Sequence, residues 1–119
     1  MKRKGGRDWG AAVAKVEQES RCRFCNRDTR RLSQEGLRLE TMHLVPRQFD
    51  DIEDGVAIVD PDAVVAACGP ATDSRSCHGR FDRGEIEALP ALSYAEQAAV
   101  VRKVGVLSAY TRLTSRFGP

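Results

Sequence analysis

Cys68-Gly69-Pro70-Ala71-Thr72-Asp73-Ser74-Arg75-Ser76-Cys77-His78-Gly79-Arg80-Phe81-Asp82 is the stretch on which the reading of this chain turns. Two cysteines stand in it with eight residues between them, and Gly69-Pro70 bends the chain just after the first. Asp73 or Ser74 can cap a helix carrying Cys77, His78 and Phe81. The only other cysteines form the run Cys22-Arg23-Phe24-Cys25. At a tight turn, CxxC spacing lets two thiolates point at one ion. Four thiolates closing a tetrahedral site are the signature of structural zinc, which keeps no open position for chemistry. The binding energy of such an ion becomes folding energy, here tying the head of the chain to its C-terminal half. Two other readings stand beside it: a redox CxxC with two bystander cysteines, or four unrelated thiols. A thioredoxin-like site needs a βαβ setting, which the sequence lacks. His78 adjoins Cys77, but neighbours on a helix seldom reach the same ion, so Cys77 faces the zinc and His78 faces elsewhere.

Composition agrees with a need for such a staple. The 119 residues fit a single domain. The hydrophobic share is 41%, much of it Ala and Val, with only four Phe, two Tyr and one Trp, so the core should be thin. No apolar run approaches the roughly 18–20 residues that span a membrane. The basic start MKRKGGRDWG is followed by no apolar signal-peptide core. A cytoplasmic protein is therefore expected, in a compartment where thiols stay reduced and paired cysteines read as ligands before disulfides.

The net charge of +2 hides a strong asymmetry. Residues 1–31 carry ten Lys/Arg against four acids, a net +6. Residues 32–73 carry Arg38 and Arg47 against nine acids, a net −7, and residues 74–119 carry seven bases against four acids, a net +3. A basic head and tail around an acidic middle suit a protein that holds a polyanion at its flanks. The acidic middle, 50–55 above all, could serve a metal or simply be a solvated loop.

Along the chain, residues 1–7 read as a basic tail. Residues 8–20 read as a helix with Trp9, Val13 and Val16 on one core-facing stripe. Residues 21–31 read as a loop around the CxxC. Residues 36–42 alternate as a short strand, which His43 leaves and Pro46 prevents from continuing. A second strand follows at 56–59, and Asp62 could cap a helical turn running through Val64 and Val65 toward Cys68. Ser93 and Glu96 make a capping box for a helix to Val104, stopped by Gly105, and a last helix is expected over 107–113.

Only two histidines exist, His43 and His78. Taken by themselves, one reads as a half-buried packing residue and the other as an outer-shell neighbour of a zinc cysteine. In context, Leu39-x-x-Met42-His43-Leu44-Val45-Pro46-Arg47, then Cys68 and Cys77-His78, all after a CxxC, resembles the zinc-containing HNH (His-Me finger) endonucleases. The likeness spans residues 22–82, and the stretch from Cys68 to Asp82 is similar to small HNH proteins of actinobacterial phages. The resemblance implies an α+β fold: a ββα-metal core over 21–84, a four-cysteine structural zinc site and flanking helices at both ends (8–20 and 91–119). It implies DNA as the partner and His43 as general base toward a water that attacks phosphorus. His78 would be a ligand of one catalytic divalent ion, Mg²⁺, Mn²⁺ or a transition ion. Arg47, Arg80 and Arg83 are candidates to hold backbone phosphates. Phage likeness further implies host cytoplasm and a role beside DNA-packaging terminase subunits.

The chain departs from the family pattern at two places. Met42 stands where the family has His, Asp or Glu as a second metal ligand, and Ala63 stands at its middle Asn. Asp62, Asp50 or Asp51 could supply the missing oxygen. The rival expectation is a catalytically impaired, zinc-stabilised DNA-binding module. A thiol–disulfide redox protein is a third.

Overall fold

The computed structural model describes residues 9–116. In chain order they form α1 (Trp9–Glu19), α2 (Thr29–Gln34), β1 (Arg38–His43), β2 (Asp51–Glu53), β3 (Val56–Ile58), β4 (Val64–Gly69), α3 (Cys77–Asp82), α4 (Tyr94–Val104) and α5 (Val106–Leu113). Short 3-10 turns occupy Arg47–Phe49, Pro61–Ala63 and Leu89–Ala91. The architecture is α+β, with two small antiparallel sheets among the described residues, β1–β4 and β2–β3. The basic tail read over residues 1–7 lies outside the described residues.

The sheet that matters is β1–β4, in which Arg38 faces Gly69 and His43 faces Val64. Every residue of β4 is buried. This corrects the helical turn expected through Val64 and Val65. Asp60, not Asp62, caps the turn, accepting from the Asp62 amide at 2.9 Å, and the turn ends after Ala63. Val64 is already extended, with φ −129° and ψ 150°. Two β-branched residues opening an all-apolar run have no polar face to offer a surface helix and pack well in a buried strand.

Alternation along β1 sends successive side chains to opposite faces. Met42 enters the main core with Phe81, Val65 and Ala67, whereas Val64 joins a smaller cluster with Ala12, Val59 and Trp9. α1 thus lies over the sheet on one side and α3 on the other. The stripe expected on α1 is partly realised: Ala12 and Val16 are buried, Trp9 and Val13 half-buried.

Three further differences are local. The acidic 50–55 loop contributes β2, paired with β3 from Asp51↔Ile58 to Glu53↔Val56. Asp54 and Gly55 both take positive φ (53° and 74°), which is what an Asp-Gly two-residue hairpin turn requires. α2 emerges from the end of the stretch read as a loop, because the Asp28 side chain caps it by accepting from the Arg31 amide at 2.8 Å. Ser76, rather than Asp73 or Ser74, caps α3: its Oγ accepts from the Gly79 amide at 3.0 Å. Asp73 is occupied instead with Arg75. The capping box of α4 forms between Ser93 and Glu96 as expected, and Gly105 ends the helix. No helix among the described residues is long and apolar enough to cross a membrane.

Candidate metal centre and histidine site

Three separate elements deliver the cysteines to one point. Cys22 and Cys25 sit in the turn after α1, which is closed by the Cys22 amide on Arg27 O (3.0 Å) and the Asn26 amide on Cys22 O (2.9 Å). Asn26 takes the left-handed conformation (φ 64°) that lets this knuckle close. Cys68 lies near the end of β4 and Cys77 opens α3. Their four Sγ atoms all lie within 4.8 Å of one another, and they could hold a metal ion. Cys25 Sγ and Cys68 Sγ are 4.0 Å apart. In a tetrahedral thiolate site with metal–sulfur bonds of about 2.3 Å, sulfurs stand about 3.8 Å apart. The donor set therefore fits a four-thiolate centre.

Backbone and side-chain donors already face these sulfurs. The Cys77 amide donates to Cys68 Sγ at 3.1 Å and the Cys68 amide to Cys22 Sγ at 3.4 Å. Arg27 donates through Nε to Cys25 Sγ at 3.1 Å and through Nη2 to Cys68 Sγ at 3.7 Å. The bond from the Cys77 thiol pulls Cys22 down to about 4, against the opposing effect of burial. The same bond, reinforced by burial, pushes Cys77 up, and burial raises Cys68. One thiolate is thus strongly favoured, and further ionisation needs positive charge that Arg27 or a bound cation supplies.

The two histidines hang from the same sheet. His43 is the last residue of β1 and is half-buried. Its ring stacks on Trp9, with centroids 5.9 Å apart and planes 6° from parallel. Its Nε2 is buried with no hydrogen-bond partner. Burial first, and then the Arg47 cation, hold His43 below its ordinary proton affinity, with Asp50 pulling the other way and His78 adding to the decrease. His78 is the second residue of α3, and its Nδ1 lies 2.8 Å from Glu40 Oε1, on β1. Its Nε2 is 3.9 Å from Asp82 Oδ2.

The candidate phosphate-holding arginines are all exposed, and each has an acidic neighbour. Arg47 Nε is 3.9 Å from Asp50, Arg80 Nε 3.8 Å from Glu85, and Arg83 Nε 2.7 Å from Glu85. Of the candidate oxygen donors, Asp62 is exposed in its turn and Asp51 meets Arg102. Asp50 is buried, with Oδ2 lacking a hydrogen-bond partner. Ala63, at the middle-Asn position, is buried.

Four contributors escaped the sequence. Glu40 and Trp9 meet their histidines across 38 residues or from another element, so no local spacing announces them. Arg27, two residues beyond Cys25, did carry a signal: a cation beside a thiolate pair is a charge partner waiting to be recognised. Arg112 of α5 lies over the Phe81 ring at 5.2 Å and donates through Nε to the Leu44 carbonyl, next to His43. It also lines a groove of about 590 Å³ between Pro46, Phe49, Asp82 and Arg116. Compared with known proteins, the chain matches no family model, no curated protein sequence and no solved structure.

Proposed function

We propose that the chain is a metal-dependent DNA endonuclease of the HNH (His-Me finger) type, with β1, β4 and α3 as its ββα-metal core and a structural zinc ion in the four-cysteine centre. One observation carries this reading: β1 ends in His43 and, through Glu40, meets His78 in the first turn of α3, while the Cys77 amide ties that helix to Cys68 of β4.

On this reading His43 takes the proton of a water that attacks the phosphorus in line. Its depressed proton affinity keeps the ring neutral near pH 7 and able to accept. The proton passes to a ring nitrogen of His43. His78 would hold a divalent ion, which would supply positive charge against the phosphate and the leaving 3′ oxygen. Arg47, Arg80 and Arg83 hold backbone phosphates, exchanging their acidic neighbours for the polyanion. Nothing in this set reads base edges, so specificity is low or comes from a partner such as phage terminase subunits.

The test is supercoiled-plasmid cleavage at low salt by wild-type and His43→Ala protein, across Mg²⁺, Mn²⁺, Co²⁺, Ni²⁺ and added Zn²⁺ with an EDTA control. Metal-dependent nicking that disappears in the variant is the expected result. DNA retardation without cutting under every metal would refute the enzyme.

A specific observation favours the second reading, a zinc-stabilised DNA-binding module without catalysis. Met42 is wholly buried in the core and the Trp9 ring covers His43. For such a binder, His43→Ala leaves DNA affinity unchanged.

A further inference from the structure

We propose that Glu40 supplies the oxygen ligand that, together with His78, holds the divalent ion of this site; the inference rests on the nuclease reading above. Met42 adjoins His43 in sequence, but its side chain is wholly buried among Phe81, Val65 and Ala67. A thioether is in any case a poor donor to a hard cation. Alternation places Glu40 on the same face of β1 as Met42, one pleat earlier. From there its carboxylate reaches α3, where Oε1 lies 2.8 Å from His78 Nδ1. Two atoms bound side by side to one octahedral ion, with bonds of about 2.1 Å, stand about 3.0 Å apart. The observed separation suits a shared ion as well as it suits a hydrogen bond.

A second feature points the same way. The carboxylate occupies the space that a side chain at position 69 would fill, since a Cβ on Gly69 would lie 2.0 Å from Oε1 and 2.3 Å from Cδ of Glu40. The outer contacts also have the form expected around ligands. Arg38 Nε donates to Oε2 at 2.8 Å and leaves Oε1 to face His78. Asp82 stands 3.9 Å from the far ring nitrogen of His78, beyond hydrogen-bond distance but on the side from which a carboxylate can orient a ligating ring. Asp62, Asp50 and Asp51 are not bonded to His78 among the described residues, whereas Glu40 is.

Mn²⁺ binding to zinc-replete protein, followed by electron paramagnetic resonance of the free ion, tests the assignment, with zinc content and circular dichroism as folding controls. Wild-type chain should bind one Mn²⁺, and Glu40→Gln should weaken it more than about 100-fold. Gln still offers an oxygen to a His78 N–H, so a purely structural contact would survive this change. Unaltered Mn²⁺ affinity in Glu40→Gln therefore overturns the proposal, as does a wild type that binds no Mn²⁺. Gly69→Ala displaces the carboxylate with every donor still present and should cost at least about tenfold; no change there also overturns it. In wild-type protein, Mn²⁺ should broaden the Glu40 and His78 resonances first, and broadening centred on Asp50, Asp51 or Asp62 would reassign the site. Plasmid nicking on the same samples separates the two levels. Mn²⁺ binding that depends on Glu40 in a protein that never nicks leaves this site standing and sinks the nuclease reading. Nicking and full Mn²⁺ binding in Glu40→Gln remove Glu40 alone.

Discussion

Glu96 gathers partners from several elements among the described residues. It belongs to α4, yet it accepts from Arg23 of the cysteine knuckle (Nη2 at 2.9 Å), from Lys15 of α1 (2.8 Å) and from the Ser93 amide (2.8 Å). Lys15 also donates to the Pro61 and Val64 carbonyls, both at 2.8 Å. Burial opposes the charge on Glu96, but Arg23, Lys15 and Ser93 outweigh it and hold the carboxyl at about 2. A carboxyl whose folded value is depressed stabilises the fold above its unfolded value near 4.3, and that contribution is lost as pH falls toward 2. Glu96→Gln should therefore destabilise by about 2–3 kcal/mol at pH 7, with most of the difference gone by pH 2. Urea unfolding of both proteins across that range reads it directly. On the nuclease reading, the titration of His43 bears on activity in the same acid direction. Because burial and Arg47 depress it, nicking should already be on its plateau at pH 7, with the acid limb below 6.5. Arg47→Ala removes one depressing charge and should move that limb upward; a limb that stays put, with DNA affinity reduced, would leave Arg47 as a phosphate contact alone.

At the scale of elements, the helices are set by caps and the sheet by burial. Ser93 and Glu96 satisfy each other's amides at the start of α4. Ser93→Ala should cost about 1 kcal/mol, measurable as a shift in the urea midpoint at constant slope. Ser76 has a heavier task at the start of α3. Its wholly buried hydroxyl accepts from the Gly79 amide and contacts the Pro70 and Asp73 carbonyls at 2.8 and 2.9 Å. α3 carries both Cys77 and His78, so Ser76→Ala should cost more than Ser93→Ala and also speed metal loss to a chelator. Equal costs in the two variants would mean that the loop of residues 70–76 holds α3 without its cap.

The whole molecule has a core built largely from Ala, Val and Leu, with Phe24 stacked on Phe81 at 6.1 Å as an aromatic pair beside the cysteines. Cys22, Cys68 and Cys77 are part of that core. Withdrawing an ion from the four cysteines would leave four clustered sulfurs with no shared cation at the junction of α1, β4 and α3. A strong chelator under reducing conditions should therefore unfold the chain cooperatively, with Zn²⁺ restoring the circular dichroism. Retention of the folded spectrum after metal removal would make the centre dispensable.

Much of the local structure was legible because it rests on neighbours in sequence. The capping box at Ser93–Glu96, the helix around Cys77-His78 and the strand leading to His43 all follow from residues within a turn of each other. The convergence of Cys22, Cys25, Cys68 and Cys77 was legible too, since thiolates have few other reasons to come in pairs. β4 was misread because a short, wholly apolar run has no periodicity to separate strand from helix. The pairing of that run with β1, which decided it, is a contact between distant residues. The same holds at the histidines. Sequence by itself placed one histidine at the end of a strand and the other beside a cysteine on a helix. Only tertiary structure decided that Trp9 covers one and Glu40 meets the other, because strand alternation and helix packing assign those partners, and neither leaves a trace in local spacing.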